Sequence, residues 1–191
     1  SIAVSDSILG LYTDDTVPRM VMRPCVPLSF LPSPVPGPFA DPRRPLTILH
    51  GKATGNRGTR EVLRAVALLK HKHGIRCQLI VFGIPRGAAV FQASDVGQMA
   101  RELDVTDAID LREPVPYLQM FALMQACDVG LIAYGREFGV RSMPNRVFEF
   151  MAAGIPFLAP SYGVELEQLV NQHRSGLLCD MEDPGELADA I

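Results

Sequence analysis

The sequence predicts an α/β protein built on one doubly wound, Rossmann-like parallel sheet. From residue 46 onward, short segments rich in Val, Ile and Leu alternate with segments whose apolar residues recur at helical spacing. Gly and Pro residues, which favour turns, separate many of these segments. Strands that alternate with helices form right-handed βαβ units, so the strands run parallel and helices cover both faces of the sheet.

The elements follow in order. The apolar run at 46–50 predicts a buried strand, and Val62, Leu63, Val66 and Leu69 give the segment 59–71 helical spacing. The further strands are predicted at 78–82, 108–111, 128–133, 156–159 and 176–179. The further helices are predicted at 98–103, 117–126, 145–153, 164–170 and 184–191. One sheet of this kind makes a single domain, assigned to 46–191, and its ligands should lie just beyond the carboxyl ends of the strands.

Residues 1–45 have a different composition, since nine of the sixteen prolines lie between Pro18 and Pro45. The run at 32–38 has a proline at every second position and can form neither a helix nor a central strand. We interpret it as an extended, stiff connector. A PxxP ligand for an aromatic groove is the alternative interpretation.

The composition excludes several classes of function. A net charge of −3 argues against nucleic acid as a partner, and no apolar run is long enough to span a bilayer. The four cysteines form no CxxC pair and the four histidines no HExxH motif, so we expect neither a metal nor another cofactor. Isolated cysteines favour a reducing, cytoplasmic location.

The loop after the first predicted strand is a candidate anion site. It begins at Gly51, contains the cations Lys52 and Arg57, and leads into a helix. Glycines allow a ligand to approach the backbone, and a helix start attracts negative charge, so the loop suits a diphosphate. A flexible surface loop with solvated charges is the alternative. The absence of a Walker pattern argues against an NTPase.

The segment at 144–156, PNRVFEFMAAGIP, carries the second candidate site. Pro144 suits the first turn of a helix, and Gly154 suits its end. Glu149 lies within the apolar stretch, and a buried carboxylate is costly unless it accepts hydrogen bonds. Its partners are either ligand hydroxyls or one of two cations, Arg141 and Arg146.

This segment resembles the donor-site signature of GT-B glycosyltransferases in the retaining, glycogen-synthase-like branch. The resemblance implies that Glu149 binds the ribose of a nucleotide. It also implies that the loop cations and Gly51 bind the diphosphate. The residues that would face the phosphate or the sugar are Met143, Pro144, Asn145 and Arg146.

Weaker parts of the resemblance agree in order along the chain. Val115-Pro-Tyr-Leu resembles a segment of the family's proteins. The resemblance implies that Val115, together with Gly83, faces the nucleotide base. Residues 161–163 (Ser161, Tyr162 and Gly163) would lie on the sugar side. Arg141 stands where many members carry an earlier acid, and Glu137 is either a substitute for that acid or a solvated loop residue. Catalytic residues stay unassigned.

The resemblance implies a hexosyltransferase that moves a sugar from a UDP- or GDP-sugar to a hydroxyl of a glycan, polysaccharide or lipid-linked acceptor. Residues 1–45 would then be the tail of an N-terminal acceptor domain plus the connector. The rest of that domain is absent from the sequence, so we expect 46–191 to be inactive alone. Membrane contact, at the inner face, would come from the missing half. The alternatives are half of a sugar-nucleotide 2-epimerase and a non-catalytic nucleotide-binding module.

Overall fold

The computed structural model describes residues 2–3, 6–11, 16, 18–27, 29, 31, 43–51, 58–83 and 92–191 of the 191-residue chain. The connector predicted at 32–38, with its PxxP alternative, lies outside the described residues. So do Lys52 and Arg57 of the predicted anion loop.

The chain folds as a series of strands and helices that follow one another in sequence. The strands are β1 (Ile2–Ala3), β2 (Met20–Val21), β3 (Leu46–Gly51), β4 (Cys77–Phe82), β5 (Ile109–Arg112), β6 (Val129–Leu131), β7 (Phe157–Pro160) and β8 (Gly176–Cys179). The helices are α1 (Asp6–Leu9), α2 (Thr59–His71), α3 (Ala93–Glu102), α4 (Tyr117–Gln125), α5 (Arg136–Gly139), α6 (Asn145–Ala153), α7 (Val164–His173) and α8 (Pro184–Ala190). Within the described part of the chain, no helix has the length and apolar character that crossing a membrane requires.

The main sheet has the order expected of a doubly wound fold. Among the described residues, six strands pair in the order β5-β4-β3-β6-β7-β8, and every pairing is parallel. The chain winds outward in one direction from β3 and in the other from β6. The crevice between the carboxyl ends of these two strands is where such sheets bind ligands. The predicted fold class is therefore confirmed.

Neighbouring strand residues point to opposite faces of the sheet, and both faces are buried. Ile48 packs with α2, α3 and α8 on one face, whereas Leu49 packs with α4, α6 and α7 on the other. A strand that is covered on both faces needs apolar residues at consecutive positions, which explains the unbroken apolar runs in the sequence.

Local sequence explains where several helices begin and end. Asp183 accepts hydrogen bonds from the N–H groups of Gly185 and Glu186 at the start of α8, and Pro184 occupies the first turn. Gly154 ends α6 with a φ of 73°, a conformation that glycine adopts without strain.

The predicted and observed elements differ at a few boundaries. Helix α3 begins at Ala93 instead of residue 98, because Gln92 and Asp95 form a capping box that the apolar spacing does not reveal. The strand predicted at 128–133 pairs only over Val129–Leu131. The sequence pattern does not predict the short helix α5.

The N-terminal residues contact the domain that follows. β1 pairs with β2 in a separate two-stranded sheet. Arg23, just after β2, contacts Glu165 of α7 at 2.7 Å and Asp6 of α1 at 3.2 Å. This ion-pair network joins the described N-terminal residues to the main domain.

Candidate functional site

A cavity of about 700 Å³ opens at the carboxyl ends of β3, β4 and β6. This position is the crevice that the strand order predicts. The residues that line it are Ile8, His50, Gly51, Phe82, Gly83, Pro114, Val115, Tyr117, Met120, Leu131, Ile132, Ala133, Tyr134, Phe138, Ser142, Met143, Pro144, Asn145, Arg146 and Glu149. Apolar side chains predominate, and the charged groups come from α6.

Gly51, at the end of β3, leaves room for an aromatic ring and a cation. A Cβ atom at this position would lie 2.9 Å from the ring of Phe82, which is too close. The guanidinium of Arg146 lies 5.3 Å from the centre of the same ring, within the range of a cation–π contact. Gly51, Phe82 and Arg146 therefore form one wall of the cavity.

Glu149 is the buried acid of the cavity, with 7% of its surface exposed. Its Oε2 lies 3.2 Å from Nη1 of Arg146, one turn earlier in α6. The Arg146 alternative for its partner is therefore observed, and the carboxylate lines the cavity at the same time. Burial lowers the pKa of the Arg146 guanidinium, and the charge of Glu149 opposes this shift.

Tyr117 approaches the same carboxylate from another element, the start of α4. Burial raises the pKa of its hydroxyl, and the charge of Glu149 raises it further. The phenol ring packs edge-on against Phe121, with the ring centres 5.3 Å apart. The Tyr117 hydroxyl is thus close enough to Glu149 for the two groups to interact electrostatically.

The first turn of α6 lines the cavity with its backbone. Pro144 is the N-cap residue, and among the described residues no side chain hydrogen-bonds to this end of the helix. The N–H groups of a helix start and its positive dipole end favour an anion. Met143, Pro144, Asn145 and Arg146 all lie here, as the sequence predicts.

The start of α2 lies beside the cavity. Gly58 precedes this helix with a φ of 61°, and a Cβ atom there would lie 2.8 Å from the carbonyl oxygen of Ala133, which lines the cavity. Only glycine adopts this positive φ without strain and also lacks the Cβ atom that would clash with the Ala133 carbonyl. A second helix start therefore lies close to the site.

Most predicted site residues that the structure describes come together. Gly51, Gly83, Val115, Glu149 and the four residues at 143–146 all line the cavity. Lys52 and Arg57 lie outside the described residues, so their positions stay predictions.

The residues at 161–163 lie elsewhere. Of the described residues that line the cavity, none is Ser161, Tyr162 or Gly163, and their placement beside the sugar stays a prediction. The Tyr162 hydroxyl donates a hydrogen bond to the carbonyl oxygen of Tyr134, and Arg136 lies 4.9 Å from its ring centre. Burial and the charges of nearby carboxylates raise the pKa of Tyr162. Tyr162 therefore supports a residue of the cavity wall.

Glu137, in α5, and Arg141, which stands at the position of the family's earlier acid, are both exposed. Glu137 and Arg141 do not belong to the described cavity lining. For Glu137 this favours the alternative of a solvated loop residue.

Sequence reasoning missed several residues of the cavity. His50 is buried at the end of β3, where its Nε2 lies 2.9 Å from Oγ1 of Thr59. Tyr117, Tyr134 and Phe138 also line the cavity. His50 could have been found, because it is the polar residue that ends an apolar strand. The aromatic residues carry no such local signal.

A family model described as glycosyl transferases group 1 matches residues 44–191. The chain belongs to this family. Among curated relatives, the D-inositol 3-phosphate glycosyltransferase of Corynebacterium urealyticum is 28% identical over 143 residues, which are 74% of this chain and 32% of the relative. The chain thus spans about a third of the length of that relative.

Solved glycosyltransferase structures share the fold. Sucrose-phosphate synthase from Thermosynechococcus elongatus superposes with a TM-score of 0.77 at 17% identity, over 99% of this chain and 47% of the synthase. HepE from Anabaena, solved in complex with UDP-glucose, has a TM-score of 0.69 at 17% identity, over 98% of this chain and 51% of HepE. This family member therefore has the architecture of one half of a GT-B glycosyltransferase.

Proposed function

We propose that this chain is the donor-binding part of a glycosyltransferase, which binds a nucleotide-diphosphate sugar for transfer to an acceptor hydroxyl. The observation that carries the proposal is the convergence of Glu149, the first turn of α6 and Gly51 on one cavity at the crevice of the sheet. Membership of the group 1 family supports it. So does the similarity in fold to HepE, which was solved in complex with UDP-glucose.

In this proposal each part of the donor has its own place. The Glu149 carboxylate accepts hydrogen bonds from the ribose hydroxyls. The diphosphate lies between Gly51 and the first turn of α6, with Lys52 and Arg57 as its cations. The base lies towards Gly83 and Val115, which line the same cavity.

In this proposal these groups stabilise the negative charge of the leaving group. The bond between the anomeric carbon and the β-phosphate breaks, and the negative charge of the leaving diphosphate increases. Fixed cations and helix starts stabilise such a charge without any reorganisation, so the proposal needs no metal ion. Among the described residues, no group of three His, Cys, Asp or Glu side chains is arranged to hold a metal.

No base for the acceptor hydroxyl is assigned to this chain. Either the leaving phosphate or a residue of the acceptor-binding half takes that proton. We therefore expect the 191-residue chain to bind a donor without transferring its sugar. Glycan, polysaccharide and lipid-linked acceptors all fit this scheme. We also propose a cytoplasmic location, in which membrane contact comes only from the acceptor-binding half.

A binding panel tests the donor assignment. Thermal shift with UDP, GDP, ADP and their sugars identifies the base, because a ligand that binds only the folded state raises its stability. Titration calorimetry then compares the diphosphate with its parent nucleoside. We expect Lys52→Ala and Arg57→Ala each to weaken diphosphate binding about tenfold more than nucleoside binding. Lys72→Ala, an exposed cation at the far end of α2, is the matched control.

The outcomes separate the alternatives. Equal losses for nucleoside and diphosphate would contradict the assignment of Lys52 and Arg57. Absence of binding to every nucleotide would contradict the donor assignment and favour a non-catalytic domain. With the full-length protein and a radiolabelled donor, label in the acceptor supports a transferase, whereas a 2-epimeric sugar nucleotide supports an epimerase.

A further inference from the structure

Phe138 lines the cavity but has no place in the proposed scheme for base, ribose and diphosphate. It lies in the short helix α5, and 43% of its surface is exposed. Its ring packs edge-on against Tyr134, with the ring centres 5.1 Å apart and an interplanar angle of 77°. Because Tyr134 also lines the cavity, the two rings form an aromatic wall beside the groups assigned to the nucleotide.

Two carboxylates that follow β8 hold the start of α5 in place. The backbone N–H of Arg136, the first residue of α5, donates to Oε1 of Glu182 at 2.7 Å. The Arg136 guanidinium contacts Asp180, and its Nε lies 3.7 Å from Oε2 of Glu182. A Cβ atom on the N-cap residue Gly135 would lie 2.8 Å from Oε1 of Glu182, so a glycine is needed for this approach.

The end of α5 is held by close packing and by hydrogen bonds to its main chain. A Cβ atom on Gly139 would lie 2.6 Å from the ring of Tyr162, so the helix lies directly against that ring. The Tyr162 hydroxyl donates to the carbonyl oxygen of Tyr134, and the Ser142 hydroxyl donates to that of Phe138. The exposed ring of Phe138 is therefore carried by a backbone that is fixed at both ends.

The strand order gives the position of Phe138 along the proposed donor. Gly83 and Val115, on the base side, follow β4 and β5, whereas Gly51, on the diphosphate side, ends β3. The next strand in the same direction is β6, and Tyr134 and α5 follow it in sequence. A nucleotide sugar that extends in this direction from its base to its diphosphate has its sugar beside the ring of Phe138.

We propose that Phe138 contacts the sugar of the donor, with its ring packed against the C–H groups on one face of a hexopyranose. Such a contact removes apolar surface of both partners from water, and it adds to the binding of the nucleotide sugar alone. This inference rests on the proposed donor site and adds a specificity-determining residue to it. A side chain that only supported the fold would affect the diphosphate and its sugar equally.

The test compares Phe138→Ala with the unaltered chain by titration calorimetry. The ligands are UDP and UDP-glucose, or GDP and GDP-mannose if the unaltered chain binds GDP more tightly. We expect Phe138→Ala to weaken binding of the nucleotide sugar about fivefold, since that factor corresponds to about 40 Å² of apolar surface left unburied. Binding of the diphosphate should not change.

Two further variants sharpen the test. Phe138→Tyr keeps the aromatic ring, so it should recover most of the affinity for the nucleotide sugar that Phe138→Ala loses. Val140→Ala is the matched control, because Val140 is 44% exposed and follows α5 directly but does not belong to the described cavity lining. It should change the affinity for neither ligand.

The remaining outcomes overturn the inference. An equal loss for UDP and UDP-glucose would make Phe138 a structural residue. Unchanged binding of both ligands in Phe138→Ala would overturn the sugar contact and leave the donor site intact. A selective loss in Val140→Ala as large as that in Phe138→Ala would show that the cavity ring is not its source. Failure of the unaltered chain to bind any nucleoside diphosphate would overturn the donor site, and the role of Phe138 with it.

Discussion

Two buried carboxylates lie at opposite edges of the same sheet, and their surroundings differ. Asp128 is 2% exposed and lies at the amino-terminal edge, just before β6, whereas Glu149 is 7% exposed and lines the cavity at the carboxyl edge. Each pairs with one arginine, since Arg44 contacts Asp128 and Arg146 contacts Glu149. The sequence alone presents both as acids within apolar stretches.

The difference lies in the remaining donors. The backbone N–H of Thr47 donates to Oδ2 of Asp128 at 2.7 Å, and the N–H of Asp128 donates back to the Thr47 carbonyl at 2.8 Å. Asp128 thus joins β3 to β6 through the main chain. The partner described for Glu149 is the side chain of Arg146, which can change rotamer when a ligand enters. We infer that main-chain donors mark a structural acid and side-chain donors an acid that can exchange partners.

The largest effect is expected at the structural acid. Asp128→Ala should lower the free energy of unfolding by about 3 kcal/mol, because the Thr47 N–H loses its acceptor and Arg44 its counter-charge. Chemical denaturation measures this loss. Asp128→Asn, which keeps an acceptor, should lose less. The comparison would fail if Asp128→Ala weakened nucleotide binding while leaving stability unchanged.

A smaller loss of stability is expected at Gly58, beside the cavity. Gly58→Ala should lower the free energy of unfolding by about 2 kcal/mol, since a Cβ atom would be strained at positive φ and would press on the Ala133 carbonyl. Gly74→Ala is the matched control. Its φ is similarly positive at 65°, but nothing lies within 4 Å of the added atom, so it should lose only about 1 kcal/mol. Equal losses in the two variants would remove the contact with Ala133 from the explanation.

The proposed binding acid should show the opposite pattern. Glu149→Gln should raise the dissociation constant of the nucleoside diphosphate about tenfold and change the free energy of unfolding by less than about 1 kcal/mol. Calorimetry and denaturation on the same preparation measure both quantities. Glu137→Gln, an exposed acid outside the described cavity lining, should change neither. If Glu149→Gln instead unfolds and the unaltered chain binds no nucleotide, Glu149 is a structural acid like Asp128.

The smallest effect concerns pH. Burial raises the pKa of Cys127, which precedes Asp128, to about 12, and that of Cys179 to about 12. Because an unfolded thiol ionises near its ordinary value of 9.0, stability is full below that pH and falls as pH rises from about 9 towards 12. At pH 9 the loss should be less than about 1 kcal/mol per thiol.

Denaturation at several pH values measures this slope, and Cys127→Ala should make it shallower. Alkylation of the native chain at pH 8 should modify Cys25, which is exposed, and spare the buried Cys127. Rapid native labelling of Cys127 would show that the amino-terminal edge opens more readily than its packing implies.

Much of the fold follows from local pattern. The helix at Asn145–Ala153 and the strand at Gly176–Cys179 have the predicted bounds, because apolar spacing and flanking Gly or Pro residues act within a few positions. The pairing of Glu149 could also be predicted, since it follows from the cost of an isolated buried charge. The family resemblance assigns the α6 segment and Gly51 to one site, and the structure brings them together.

Tertiary structure alone decided which groups meet. Tyr117 and Glu149 are far apart in sequence and become neighbours only because α4 and α6 pack on the same face of the sheet. The sequence places Tyr162 just after β7, but only the structure shows that its hydroxyl donates a hydrogen bond to the Tyr134 carbonyl oxygen. Periodicity determines which side of an element is buried. The partner that a polar side chain contacts there depends on how the helices and strands pack together. No local sequence pattern encodes which distant side chains this packing brings within contact.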